Sequence, residues 1–168
     1  MHIYDSSAPV LINVMRNMRN WLDKAAAEKD EAELVNARLA EDMRPLTAQY
    51  QMASDSAKNA IGRLTGIEAP SMPDTESTFA ELRERCDKTI AFIESVDRAA
   101  FDGAEEREVV MKFPNGMGYR WNGADYLRGF VLPNIYFHAT TAYAIMRAAG
   151  VSLGKPDFLQ HLGMPEQM

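Results

Sequence analysis

Four stretches of the chain repeat apolar residues at steps of three and four, the spacing that gathers side chains on one face of an α-helix. The first runs from Ala8 to about Glu28 and carries Leu11, Val14, Met18, Trp21, Leu22 and Ala25. It opens near Pro9, a residue favoured in a first helical turn. The second, with Asp42 as cap and Pro45 in its first turn, turns Leu46, Tyr50, Ala53, Ala57, Ile61 and Leu64 inward and stops at Gly66. The third spans about Ser77 to Val96, with Phe79, Leu82, Cys86, Ile90, Ile93 and Val96 on its inner face. The fourth begins near Gly123 to Asp125 and reaches about Ala149, with Gly150 as its stop.

The connections are equally readable. A short helix around Glu31 to Ala37 links the first two long helices, and Arg38 and Asp42, four apart, are spaced to form an ion pair at the start of the second. GIEAPSMPDTES holds two prolines and several turn formers, which makes it a surface crossover between the second and third helices. Between Phe101 and Gly123 the period changes to two, in REVVMKF and GYRWNG, with Asn115 and Gly116 as the hairpin signal between them. The architecture expected is therefore all-α: an antiparallel four-helix bundle with a small β-hairpin before the last long helix. A chain of 168 residues suits one domain, residues 1–168, with a single core.

A net charge of -6 repels phosphate backbones and anionic lipid surfaces on average, which argues against nucleic acid and membrane as partners. No apolar run approaches the ~18 residues a membrane span needs. The one cysteine, Cys86, cannot form an internal disulfide and falls on a core face, where it reads as a small packing residue. No segment resembles a signal peptide, so the expected location is cytoplasmic.

The residues that break the pattern lie on the last helix. Asn134, His138 and Thr141, four and three apart, share the face that also carries Leu127, Phe130, Ile145 and Ala148. Amide, imidazole and hydroxyl groups in an apolar stripe must find partners, so the trio is either a satisfied core network or the floor of a site. Pro133 removes one helical hydrogen bond and predicts a kink or break just before them. Gln51, Asp55 and Lys58 fall opposite the core stripe of the second helix and read as a solvated face. Tyr136 and Tyr143, seven apart on the far face, read as a contact for the hairpin or a second subunit. In the tail, Lys155, Asp157 and Phe158 read as a docked end of the bundle, with a lid over a ligand as the functional alternative.

The segments RLAEDMRPLTAQYQMASDSAK (Arg38 to Lys58) and LPNIYFHATTAYAIMRAAGVSLGKPDFL (Leu132 to Leu159) resemble an uncharacterised bacterial domain-of-unknown-function family within the DinB/YfiT-like superfamily. The resemblance covers nearly the whole chain. It implies a four-helix bundle, often a homodimer. The better-studied members hold a divalent metal with three histidines, one on the second helix and two on the fourth, and some catalyse thiol-dependent transfers. His138 matches the last of those histidines. Its partner position four residues earlier is Asn134, and the second-helix equivalent is Gln49. Amide oxygens are weak ligands for zinc or nickel, so a high-affinity metal site is not expected. His2 and His161 lie near the termini, outside the helical pattern.

Together these readings predict a protein that binds, and in the enzymatic case transforms, a small-molecule ligand between the second and fourth helices. His138 would give or take a proton, and Gln49, Asn134 and Thr141 would complete the layer. The alternative is a non-catalytic structural or stress-associated dimer that has lost the three-histidine site.

Overall fold

Paired side chains fix the directions of the long helices. A computed structural model describes residues 2–168 and places helices α1 (Ile3–Glu28), α2 (Glu31–Asn36), α3 (Leu46–Thr65) and α4 (Phe79–Glu94) before a hairpin of β1 (Glu108–Lys112) and β2 (Gly118–Asn122). Helix α5 (Gly123–Tyr126), one π-helical turn (Leu127–Val131) and α6 (Leu132–Ala148) follow, and α7 (Lys155–Phe158) lies in the tail. Arg16 meets Glu94, Arg19 meets Asp87 and Asp23 meets Arg83, so α1 and α4 run antiparallel. Gln49 meets His138, Ser56 meets Asn134 and Arg63 meets Tyr126, so α3 opposes the α5–α6 segment. Gln51 meets Arg85 while Ser54 meets Thr89, so α3 and α4 run the same way. Parallel neighbours need a long return, and residues 66–78 supply it.

The core is built on the predicted inner faces of α1, α3 and α4, but α6 turns in Ile135, Ala139, Ala142 and Met146, whereas Phe130, expected inside, is half-buried and Ala148 is exposed. Leu11, Met15, Met18, Leu22, Leu46, Tyr50, Ile61, Leu64, Leu82, Ile135 and Met146 are all fully enclosed. Burying one such aliphatic side chain is worth roughly 1.5–3 kcal/mol, so these stripes are what hold the helices together. Cys86 belongs to this core, and burial pushes its thiol far above the ordinary range, which leaves it unreactive. Among the described residues no helix is long and apolar enough to cross a membrane.

Several boundaries differ from the sequence expectation. Helix α1 starts at Ile3 rather than near Pro9, because the His2 side chain accepts from the Tyr4 amide and Ile3 is buried, its amide held by Glu105. Pro9 sits inside the helix. Asp42 does not cap α3: it lies in an exposed turn, and Pro45 holds the N-cap position. Nor does Arg38 pair with Asp42. It donates to the Glu41 carbonyl, because the chain between α2 and α3 turns instead of continuing as helix.

The hairpin forms as its sequence predicts. Val110 pairs with Arg120 at its centre, and Gly116, at φ 81°, closes the turn by donating to the Phe113 carbonyl. Trp121 lays its ring against Tyr126 and Phe130, which ties the hairpin to the start of the last helix. That start requires glycine: a Cβ on Gly123 would lie 1.9 Å from the Ala104 carbonyl oxygen. At Pro133 the helix widens rather than breaks. Leu132 donates to Leu127, five residues back, and the backbone stays right-handed helical through both joins. The wider turn relieves the clash between a proline ring and the preceding carbonyls.

Candidate functional site

Gln49, Ser56 and Arg63 follow one another at intervals of seven along α3, which stacks them on one face. Each meets a polar side chain across the α3–α6 seam. Gln49 Oε1 lies 2.9 Å from His138 Nδ1, Ser56 Oγ accepts from Asn134 Nδ2 at 2.5 Å, and Arg63 donates to the Tyr126 hydroxyl at 2.8 Å. The outer side of this ladder is a groove of about 300 Å³, lined by Asp55, Ser56, Asn59, Arg63, Asn134 and His138 with Met52, Met111, Tyr126 and Phe130.

The hydrogen bonds assign the protons. Gln49 Nε2 donates to the Arg44 carbonyl at 2.9 Å, and a carbonyl only accepts, so the amide oxygen must be the atom facing His138. An amide oxygen only accepts, so His138 Nδ1 carries hydrogen. Burial lowers the His138 pKa, which keeps the ring neutral at pH 7 and leaves Nε2 as a lone pair. Nε2 makes no hydrogen bond with a described residue. Arg85 Nε is the one buried side-chain nitrogen or oxygen without a partner among the described residues, so Nε2 is open to the groove. His138 thus presents a hydrogen-bond acceptor, or a base, at the edge of an otherwise well-filled bundle.

The predicted residues divide into three groups. His138 and Asn134 line the groove, and Gln49 stands behind His138 as its orienting partner. Thr141 is elsewhere: its hydroxyl donates to the Phe137 carbonyl one turn back at 2.7 Å, which satisfies it within its own helix. His161 packs on the opposite side of α6, 3.0 Å from Asn17, beside Trp21, Tyr136 and Ala139. Sequence reading passed over Ser56, Asn59, Arg63 and Tyr126. The sevenfold spacing from Gln49 was the available signal for Ser56 and Arg63.

The donor set does not fit the three-histidine metal site implied by the superfamily resemblance. Gln49 and Asn134 occupy two of the three positions, and both amides are turned to protein partners. Among the described residues no three His, Cys, Asp or Glu side chains converge. Asp55, the one carboxylate lining the groove, is held by Arg85 at 2.8 Å and Lys58 at 3.1 Å.

That contact overturns the solvated reading of Gln51, Asp55 and Lys58. Gln51 and Lys58 are buried, and Arg85, 3% exposed, lies beside them. Its guanidinium meets Asp55, Asp74 and Glu76 at 2.8–3.0 Å and strings the crossover loop across α3 and α4. Burial alone would raise the Glu76 carboxyl, but hydrogen bonds from Gln51 and Arg85 outweigh it and hold the group below its usual range. The aromatic stripe also differs. Tyr143 contacts Trp21 of α1 and Phe158 of the docked tail rather than the hairpin, while Tyr136 stays exposed. The tail is anchored to α1 by Lys24–Asp157 at 2.7 Å and by Trp21 donating to the Asp157 carbonyl, on the side away from the His138 groove.

No curated protein matches the chain. Its fold is similar to the crystal structure of a DinB family member from Shewanella denitrificans, with a TM-score of 0.88, 35% identity, and coverage of 99% of this chain and 95% of that one. The model of a domain of unknown function, DUF1993, matches residues 3–159. A sequence match of that extent, on a bundle of DinB type, means that the chain belongs to the DUF1993 family of DinB-like proteins.

Proposed function

We propose that the protein binds a small molecule in the groove between α3 and α6, with His138 Nε2 accepting a hydrogen bond or a proton from it. The observation that carries this reading is the fixed tautomer: a buried, neutral imidazole held from behind by Gln49 and left open in front. Polar groups held at the edge of a core without a protein partner are a recurrent mark of functional sites. Asn134 and Asn59 add further polar lining, and Met52, Met111 and Phe130 supply apolar walls, the mixture typical of small-molecule sites. The homodimer proposed with it rests on the superfamily resemblance and on Tyr136 and Phe137, adjacent exposed aromatics on α6. Light scattering tests the assembly: a dimeric mass is expected, and a monomeric one at tens of micromolar contradicts it.

The test of the site is a fragment screen read by amide chemical shifts of uniformly labelled protein. Compounds that bind are expected to shift Ser56, Asn134 and His138 together, and the shifts should vanish in Asn134→Leu. A screen in which no compound perturbs the groove favours the non-catalytic structural dimer.

A further inference from the structure

Two charged side chains line the groove, Asp55 and Arg63. Asp55 is already matched by Arg85 and Lys58. Arg63 is not matched: no described carboxylate lies within ion-pair distance of it, and its protein partner is the neutral Tyr126 hydroxyl, with the guanidinium carbon 5.8 Å from that ring's centre. Only one side of the guanidinium is engaged. NH1 carries the bond to Tyr126, while Nε and NH2 make no hydrogen bond with a described residue, and neither is buried without a partner. Nε–H and NH2–H form the edge of the planar fork that takes both oxygens of a carboxylate.

The rest of the groove limits what such an anion can be attached to. Met52, Met111 and Phe130 form apolar walls, and about 300 Å³ admits a compact molecule. His138 Nε2, in the same groove, accepts a hydrogen bond and so calls for a donor. We propose that the ligand is a small organic carboxylate with an apolar body and a hydroxyl or amine: the carboxylate on Arg63, the body on Met52, Met111 and Phe130, the donor on His138 Nε2. The assignment rests on the groove being a binding site. A single unmatched cation among apolar walls suits a monoanion better than a phosphate, whose second charge would lack a partner.

The experiment is a titration of the full chain with 4-hydroxyphenylacetate, its neutral amide 4-hydroxyphenylacetamide, and phenyl phosphate, followed by amide chemical shifts. The acid is expected to shift Arg63, Asn134 and His138 saturably and to bind at least tenfold more tightly than the amide. Arg63→Gln should abolish the acid's advantage, bringing its affinity down to about that of the amide. Arg63→Lys, which keeps the charge and loses the fork, should fall between; it also serves if the glutamine variant does not fold. Equal affinity for acid and amide, or acid binding indifferent to both substitutions, overturns the carboxylate assignment while the groove stands. Tighter binding of phenyl phosphate than of the acid overturns the monoanion. If none of the three shifts the groove, the carboxylate assignment falls, and the binding site is decided separately by the fragment screen.

Discussion

The Gln49 amide, pinned by the Arg44 carbonyl on one side, places its oxygen 2.9 Å from His138 Nδ1 and so decides which ring nitrogen holds the proton. One hydrogen bond at the start of α3 therefore sets the chemistry of a side chain on α6. At the position where the superfamily resemblance implies a second-helix histidine, this chain has a glutamine that supports a neutral imidazole.

The two residues should be energetically coupled. His138→Ala leaves the Gln49 oxygen without a partner and Gln49→Leu frees the ring, so each is expected to cost about 1–3 kcal/mol of stability. The double variant should cost less than their sum by about 0.5–1.5 kcal/mol, measured by urea denaturation. Simple additivity would mean that the hydrogen bond contributes nothing.

Acid should reveal the same residue. Because burial depresses the His138 pKa, the unfolded chain takes up a proton that the folded one refuses as pH falls below the ordinary histidine value of 6.5. The stabilising effect of the neutral ring is full above that pH and declines below it until the folded ring itself titrates. Thermal melts from pH 7.5 to 5.5 should therefore show a larger fall in Tm for the natural protein than for His138→Gln. Equal falls would mean that His138 titrates as an exposed ring does.

Arg85 is expected to hold the crossover loop. Arg85→Met removes the partner of Asp74 and leaves Glu76 with Gln51 alone and Asp55 with Lys58 alone, which should cost about 3 kcal/mol, since loss of one member of a buried ion pair is strongly destabilising. Hydrogen exchange should quicken first across residues 66–78. Unchanged protection there would contradict the clamp.

Thr141 should be indifferent to the site. Its hydroxyl bonds only to its own helix, so Thr141→Val is expected to change stability by less than about 1 kcal/mol and to leave ligand-induced shifts at His138 in place. Lost binding in this variant would restore Thr141 to the groove.

Periodicity made the four helices legible, and Asn115-Gly116 made the hairpin legible, because local spacing shows where helix and strand run. His138 and Asn134 could be read from the sequence because they interrupt an apolar stripe, and Gln49 because the superfamily resemblance points to its position on the second helix. The Gln51, Asp55 and Lys58 face could not. A helical wheel assigns the side opposite the core to water, and only the return of residues 66–78 past Arg85 covers it. Arg63 was hidden by an ordinary expectation, since an arginine near the end of a helix usually points to solvent. Tyr143 was hidden by the tail, whose Phe158 covers it from far along the chain.

The most direct measurement is the protonation pattern of the His138 ring, read from long-range proton–nitrogen correlations of imidazole-labelled protein at pH 7. The account predicts a neutral ring with hydrogen on Nδ1 and a bare Nε2, a pattern relaxed toward a mixture of tautomers in Gln49→Leu. A ring protonated on Nε2 alone, or on both nitrogens at that pH, would contradict it.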